Sequence, residues 1–244
     1  MTESSLNGMT ESSLNEMTES SLNETPEPSL NEMTESSLNE TPESSLFERL
    51  KHPNPHLRDR AMWEIVETRD ETTISRLMGI LAEEDTVYRR AAVKVLGAIG
   101  IDTVPSLVDS LLNSDNSTIR GSCAKALAQV ACNYKEIPFP SEGIEGLKKG
   151  LNDANPVVYI ASAMALGVVG KPALDSLLEV LDGTDNPALS VAILNAVSSI
   201  DDDRSRETLS KFKNDESADT YVQETAKSAE SRVDTLQFKS GSRE

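Results

Sequence analysis

The sequence predicts an all-α fold, an α-solenoid of about five to six stacked helix pairs that follows a disordered N-terminal tail of octapeptide repeats. Three observations carry this expectation. Residues 1–48 repeat every eight residues, a helix-start signal recurs six times at spacings of 31, 31, 39, 31 and 33 residues, and a second apolar series lies between those starts. A two-helix unit of that length buries its apolar face only against neighbouring units.

The tail reads MTESSLNG, MTESSLNE twice, TPEPSLNE, MTESSLNE and TPESSLFE, with one Leu per octad from Leu6 to Leu46. On a helix successive Leu drift by about 80°, so no continuous apolar stripe forms. One Leu per octad offsets too little chain entropy, and residues 1–44 read as disordered. A solubilising tail and a specific docking tail are the two uses open to it. Leu46 to Leu50 reads as a lone half-repeat closing one end of a solenoid over residues 45–235.

The first helices share a register at Leu57, Tyr88, Ile119, Val158, Leu189 and Val222. Three residues earlier stand Asn54, Asp85, Asn116, Asn155, Asn186 and Asp219, side chains that accept hydrogen bonds from free amides at a helix start. Pro55, Pro156 and Pro187 come next in three of the six, the position where a missing N–H costs nothing. Four residues after the register come Ala61, Ala92, Cys123, Ser162, Ile193 and Ala226, and eight after it Ile65, Leu96, Leu127, Leu166 and Val197. This small-then-large stripe at helical spacing lets helices approach closely. Gly97 and Gly167 mark points where a helix can stop or bend.

The second helices carry apolar residues at i, i+3 and i+7: Ile74, Leu77 and Leu81; Val104, Leu107 and Leu111; Ile144, Leu147 and Leu151; Leu174, Leu177 and Leu181. Each is assigned to the helix before it. The last helix, near Ser217 to Val233, carries Glu230 where a large apolar residue is due and reads as a solvated cap. Residues 236–244 read as a disordered C-terminal tail.

The formal charge of −18 divides into −11 from the first 48 residues, which hold 11 Glu and no Asp, Lys or Arg, and −7 from the rest. That balance speaks against nucleic-acid binding and against adsorption to an anionic membrane, and it favours a neutral or basic partner. Two Cys cannot build a disulfide scaffold, and no basic stretch followed by an apolar run opens the chain. The longest uncharged apolar stretch, Val157 to Gly170, is 14 residues, short of the roughly 17 that cross a bilayer. The expectation is a cytoplasmic protein with no integral membrane contact.

The segments YRRAAVKVLGAIG from Tyr88, IRGSCAKALAQVA from Ile119 and ASAMALGVVG from Ala161 resemble the HEAT-type repeats of the cyanobacterial phycobilisome bilin lyase family. The resemblance covers roughly residues 45–235 and is closest to the small HEAT-repeat relatives of the lyase subunits, one of which partners an A-type iron–sulfur scaffold protein. It implies assembly or cofactor loading of phycobilisome or other cofactor proteins. The partner it implies is a phycobiliprotein, an iron–sulfur scaffold or a second HEAT subunit. No cofactor is required by the chain itself, and a transient bilin or iron–sulfur cluster would belong to the partner.

Chemistry-bearing residues are few. His52 and His56 are four apart, but Pro53 and Pro55 prevent the regular helix that would place both on one metal. The HEAT-repeat iron hydroxylases, which hold iron through His-Glu pairs, are disfavoured because the chain has no His-Glu dipeptide. Cys123 and Cys132 are nine apart, facing opposite sides of one helix; Cys123 falls on the core stripe, and Cys132, at the helix end, is the thiol available to hold a bilin or cluster transiently. No G-x-S-x-G, G-x-G-x-x-G, phosphate-binding Gly-Lys loop or Cys-x-x-Cys occurs.

Arg58, Arg89 and Arg120 follow the register residue in three consecutive repeats and should stack as a ladder. They either pair with neighbouring carboxylates and helix ends or reach a partner carboxylate such as a tetrapyrrole propionate. The 39-residue spacing inserts a loop, NYKEIPFPS, whose Tyr134, Ile137 and Phe139 are either tucked onto the solenoid edge or exposed for a partner. Tyr88, Tyr159 and Trp63 read as packing residues, with contact to a flat tetrapyrrole as the other option. Two functions follow: a non-catalytic scaffold whose concave face is lined by the second helices, or a phycobilin lyase subunit that attaches bilin to a phycobiliprotein Cys.

Overall fold

In the computed structural model residues 46–240 are described, with side chains to residue 233. The octapeptide tail expected over 1–44 and the final residues 241–244 lie outside the described residues. Every regular element among the described residues is helical. A short helical segment over 46–51 is α1. The first-series helices are α2 (Pro55–Thr68), α4 (Thr86–Ile99), α6 (Ser117–Asn133), α8 (Pro156–Val169), α10 (Pro187–Val197) and α12 (Thr220–Ser240). The second-series helices that alternate with them are α3 (Thr73–Ile80), α5 (Val104–Asn113), α7 (Ser141–Gly150), α9 (Leu174–Gly183) and α11 (Asp203–Asn214).

The six first-series helices start as the sequence predicts. The side chains of Asn54, Asp85, Asn116, Asn155, Asn186 and Asp219 each accept a hydrogen bond from the N–H two residues on, at 2.8 to 3.0 Å. Each bond satisfies an amide that the helix itself leaves unpaired. Behind the caps the predicted stripe is the core: Ala61, Ala92, Cys123, Ser162, Ile193 and Ala226 are fully buried, as are Leu96, Leu127, Leu166 and Val197.

Several assignments change. Each second-series helix packs more closely on the first-series helix that follows it, α3 on α4 through α11 on α12, than on the one before, with the smallest difference for α9. The chain turns by 117° between α4 and α5, which swings the second helix away from its predecessor. With α1 packed on α2, the array is six complete pairs, and the segment around Leu50 is the shortened first helix of a whole unit.

Gly97 and Gly167 do not end their helices. Both lie inside α4 and α8, which run on to Ile99 and Val169 and end at Gly100 and Gly170, with φ of 92° and 82°. Only glycine adopts that backbone without strain. A Cβ on Gly97 would collide with Gln129 of α6, and one on Gly167 would stand 3.1 Å from the Ala196 Cα of α10, so both glycines let consecutive first-series helices touch.

At the C-terminal end, α12 continues to Ser240, past the expected boundary at residue 235. Glu230 is not a free solvated side chain: it accepts from Lys213 Nζ of α11 at 2.5 Å and is three-quarters covered. Helix α11 itself escaped the apolar pattern because among its apolar residues only Leu209 is fully buried, with Phe212 half-buried. Its start, Asp202, caps Arg204 N–H at 3.1 Å.

First-series helices pack on one another at every step of the array, whereas second-series helices pack closely only between α5 and α7 and, less so, between α7 and α9. In a curved stack the tighter row is the inside, so the concave face is lined by the first helices and not by the second. Among the described residues no single helix is long and apolar enough to cross a membrane.

Candidate functional site: the inner face of the first-series helices

On a helix turning about 100° per residue, positions one before and two, six and ten after the register lie roughly 200° round from the buried stripe. These positions make the inner face. At six after the register they are Trp63, Lys94, Lys125, Met164, Asn195 and Ser228, one per repeat, all exposed.

Three open grooves lie in the N-terminal half, one of them between Arg58 and Arg90 and two larger ones beside it. Of the larger two, one, about 550 Å³, lies over α2, α4 and α6 and is lined by Asp59, Trp63, Lys94, Gln129, Asn133 and Tyr134 among others. Trp63 is 55% exposed there, which corrects its assignment as a packing residue: its stripe position faces away from the second layer. The other, about 390 Å³ between α4 and α6, has Arg89, Arg90, Lys94 and Lys125 on its wall and no carboxylate among its lining residues. In a chain of net charge −18, this groove is locally cationic. Lys94 sits 3.6 Å from Asp59 across two exposed side chains.

The arginine ladder exists and has one repeated task. The Nη1 of Arg58 donates to the carbonyls of His52 and Pro53 at 2.6 and 2.9 Å. That of Arg89 donates to Glu83 and Glu84 at 2.5 and 3.5 Å. That of Arg120 donates to Ser114 and Asp115 at 2.9 and 3.2 Å. Each guanidinium thus ties down the turn that precedes its own helix, using the fork of donors that Lys lacks. Arg120 also grips Asp153 in the next unit, Nε to Oδ2 at 2.6 Å and Nη2 to Oδ1 at 2.9 Å. Those bonds hold the Asp153 carboxyl below the usual carboxylate range, against the opposing pull of partial burial.

In the inserted loop, the Tyr134 hydroxyl donates to the Ala98 carbonyl at 2.5 Å, and Phe139 packs against the core. Ile137 stays 47% exposed. Cys123 is buried, and burial pushes its thiol up to about 12; Cys132 is exposed. The six predicted site residues do not converge: Arg58, Arg89 and Tyr134 each border a different groove, while Arg120, Phe139 and Cys132 border none of those three. Sequence reading missed Arg90, Lys94 and Lys125, which the register plus two and plus six would have singled out. Among the described residues no three His, Cys, Asp or Glu side chains gather where they could share a metal ion.

The fold and this face define a HEAT-repeat α-solenoid, and a family model for HEAT repeats matches residues 43–128 and 144–230. Both matches start where the structure starts a unit, at α1 and at α7. The chain is 53% identical over 190 residues to the uncharacterized phycocyanin operon protein Z of Pseudanabaena tenuis (strain PCC 7409), covering 78% of this chain and 94% of that one. It is 30% identical over 172 residues to the bilin biosynthesis protein CpeZ of Synechococcus sp. (strain WH8020), covering 68% and 92%. The chain belongs to the phycobilisome lyase-like HEAT-repeat family. Among solved structures, the complex of CpcE and CpcF of phycocyanin lyase from Nostoc sp. PCC7120 aligns at a TM-score of 0.44 with 21% identity, over 62% of this chain and 95% of that one. A computationally designed armadillo repeat protein for modular peptide recognition aligns at 0.40 with 18% identity, over 76% and 97%.

Proposed function

We propose that the chain is a non-catalytic, protein-binding scaffold that holds a phycobiliprotein, or another cofactor-carrying protein, during assembly or cofactor loading. The carrying observation is the inner face, where Trp63, Lys94 and Lys125 stand exposed in consecutive repeats over two open grooves, while the predicted arginines are occupied in holding turns. Rigid helices that present an exposed aromatic beside cationic side chains have the make-up of a recognition surface. The names of the relatives, a phycocyanin operon protein and a bilin biosynthesis protein, support an antenna protein as what is held. They lend nothing to the iron–sulfur reading. Any bilin would be carried by the partner.

A second reading, a phycobilin lyase subunit acting alone or with a second HEAT subunit, is favoured by the bilin biosynthesis name of one relative. Co-expression with a phycobiliprotein subunit and bilin separates the two by zinc-enhanced fluorescence. The scaffold predicts stable capture of the antenna subunit with no bilin adduct that depends on this chain. An adduct formed only in its presence would replace the scaffold by the lyase. Capture from a cyanobacterial lysate that returned neither a phycobiliprotein nor another cofactor-carrying protein would overturn both.

A further inference from the structure

Helix α8 breaks the pattern of the inner face. Its four outward positions are Val157, Ile160, Met164 and Val168, which are 56, 40, 64 and 45% exposed. Every other first-series helix places a charged or amide side chain on this stripe: Asp59 in α2, Arg90 in α4, Lys125 in α6, Asn195 in α10 and Glu224 in α12. Only α8 leaves an uninterrupted apolar ridge to solvent. From Val157 to Val168 the ridge is three turns long, about 16 Å. An exposed apolar ridge rimmed by polar residues marks an interaction site.

What covers it is indicated by the charges beside it. Lys125 stands on the adjacent helix α6, and Lys94 and Arg90 on α4 beyond it. Neither Arg90 nor Lys125 has an ion-pair partner among the described residues. We infer that this face docks an amphipathic helix of a partner protein, with its apolar stripe on the α8 ridge and an acidic edge turned to Arg90, Lys94 and Lys125. A ridge at i, i+3, i+7 and i+11 is what a second helix meets by interdigitation at about 8–10 Å between axes, and that spacing also brings the edge of the incoming helix over α6. The cations set the orientation and exclude a basic helix, since like charges facing each other are strongly disfavoured. The inference rests on the protein-binding reading above and names the chemistry of the bound element.

The test uses the full chain and two synthetic helical peptides of about 18 residues that share one Leu stripe, one with a Glu edge and one with a Lys edge. Calorimetry should show the Glu-edged peptide binding at least about tenfold more tightly than the Lys-edged one. Met164→Glu, at a site 64% exposed, should leave the circular dichroism unchanged and weaken the Glu-edged peptide at least about tenfold. Joint Lys94→Glu and Lys125→Glu substitution should reverse the preference between the peptides. Equal binding of the two peptides, or insensitivity to Met164→Glu, overturns the inference. So does self-association of the chain that Met164→Glu abolishes, since a second copy would then be the occupant. If phycobiliproteins are captured but the peptides do not discriminate, this inference fails and the scaffold reading stands; the reverse pair of results sinks the antenna assignment and leaves the docking face.

Discussion

Arg120 and Asp153 form a two-point ion pair across 33 residues, at 2.6 and 2.9 Å, with side chains only 17% and 12% exposed. The pair fastens α6 to the turn that begins α8. Asp153 also accepts from the Asn155 N–H at 2.8 Å, so a single carboxylate serves an inter-repeat contact and the geometry of the next helix cap.

Asp153→Asn should therefore cost about 1–3 kcal/mol at neutral pH, the range for a hydrogen bond to a charged, mostly covered group. The sign with pH follows from the direction of the shift. Arg120 lowers the folded-state pKa of Asp153, so its stabilisation is complete above the unfolded value of about 3.9 and is lost as pH falls through the folded value. Urea unfolding of both proteins at pH 7 and pH 3 should show a gap that narrows at the lower pH; an unchanged gap would remove the charge from the explanation.

Leu127→Ala should destabilise by about 2–5 kcal/mol, because Leu127 is fully buried in α6 with first-series helices packed on both sides. A loss under about 0.5 kcal/mol in the same urea experiment would contradict its place in the core.

Ser162→Ala should stabilise. The Ser162 hydroxyl is fully buried with no hydrogen-bond partner, and removing an unsatisfied polar group of that kind returns about 1 kcal/mol. Scanning calorimetry should show a rise of roughly 2–4 °C. A fall would mean that the hydroxyl is paired in solution.

Two glycine substitutions should move in opposite directions. Gly97→Ala drives a methyl into Gln129 of α6 and should cost about 1–3 kcal/mol. Gly79→Ala, in α3 with nothing within 4 Å of the added atom, should gain about 0.5 kcal/mol by restricting the unfolded chain. Equal effects at the two sites would deny the close approach of α4 and α6.

The two thiols should separate kinetically. At pH 8 a disulfide reagent should titrate Cys132 in the native protein and reach Cys123 only after unfolding, since burial holds the Cys123 thiol near 12 and bars access. Two fast-reacting thiols in the folded protein would place Cys123 outside the core.

The sequence by itself determined the local chemistry. The cap six times repeated, the small-then-large stripe behind it and the apolar triads between fixed where helices start and which face each buries, because capping and amphipathicity depend only on neighbours within a few residues. Helix α11 escaped because a terminal unit buries too little apolar surface to show a period. Only the tertiary structure decided which helix each second helix joins, since the 117° turn after α4 reflects packing that spacing along the chain does not encode. The same packing put the first helices on the inside, turned Trp63 outward, occupied Arg58, Arg89 and Arg120 with backbone carbonyls, and set the apolar ridge of α8 beside Lys125. The arginine bonds reach back only five or six residues; the rest are relations between separate helices, settled by how six units stack rather than by what any one of them contains.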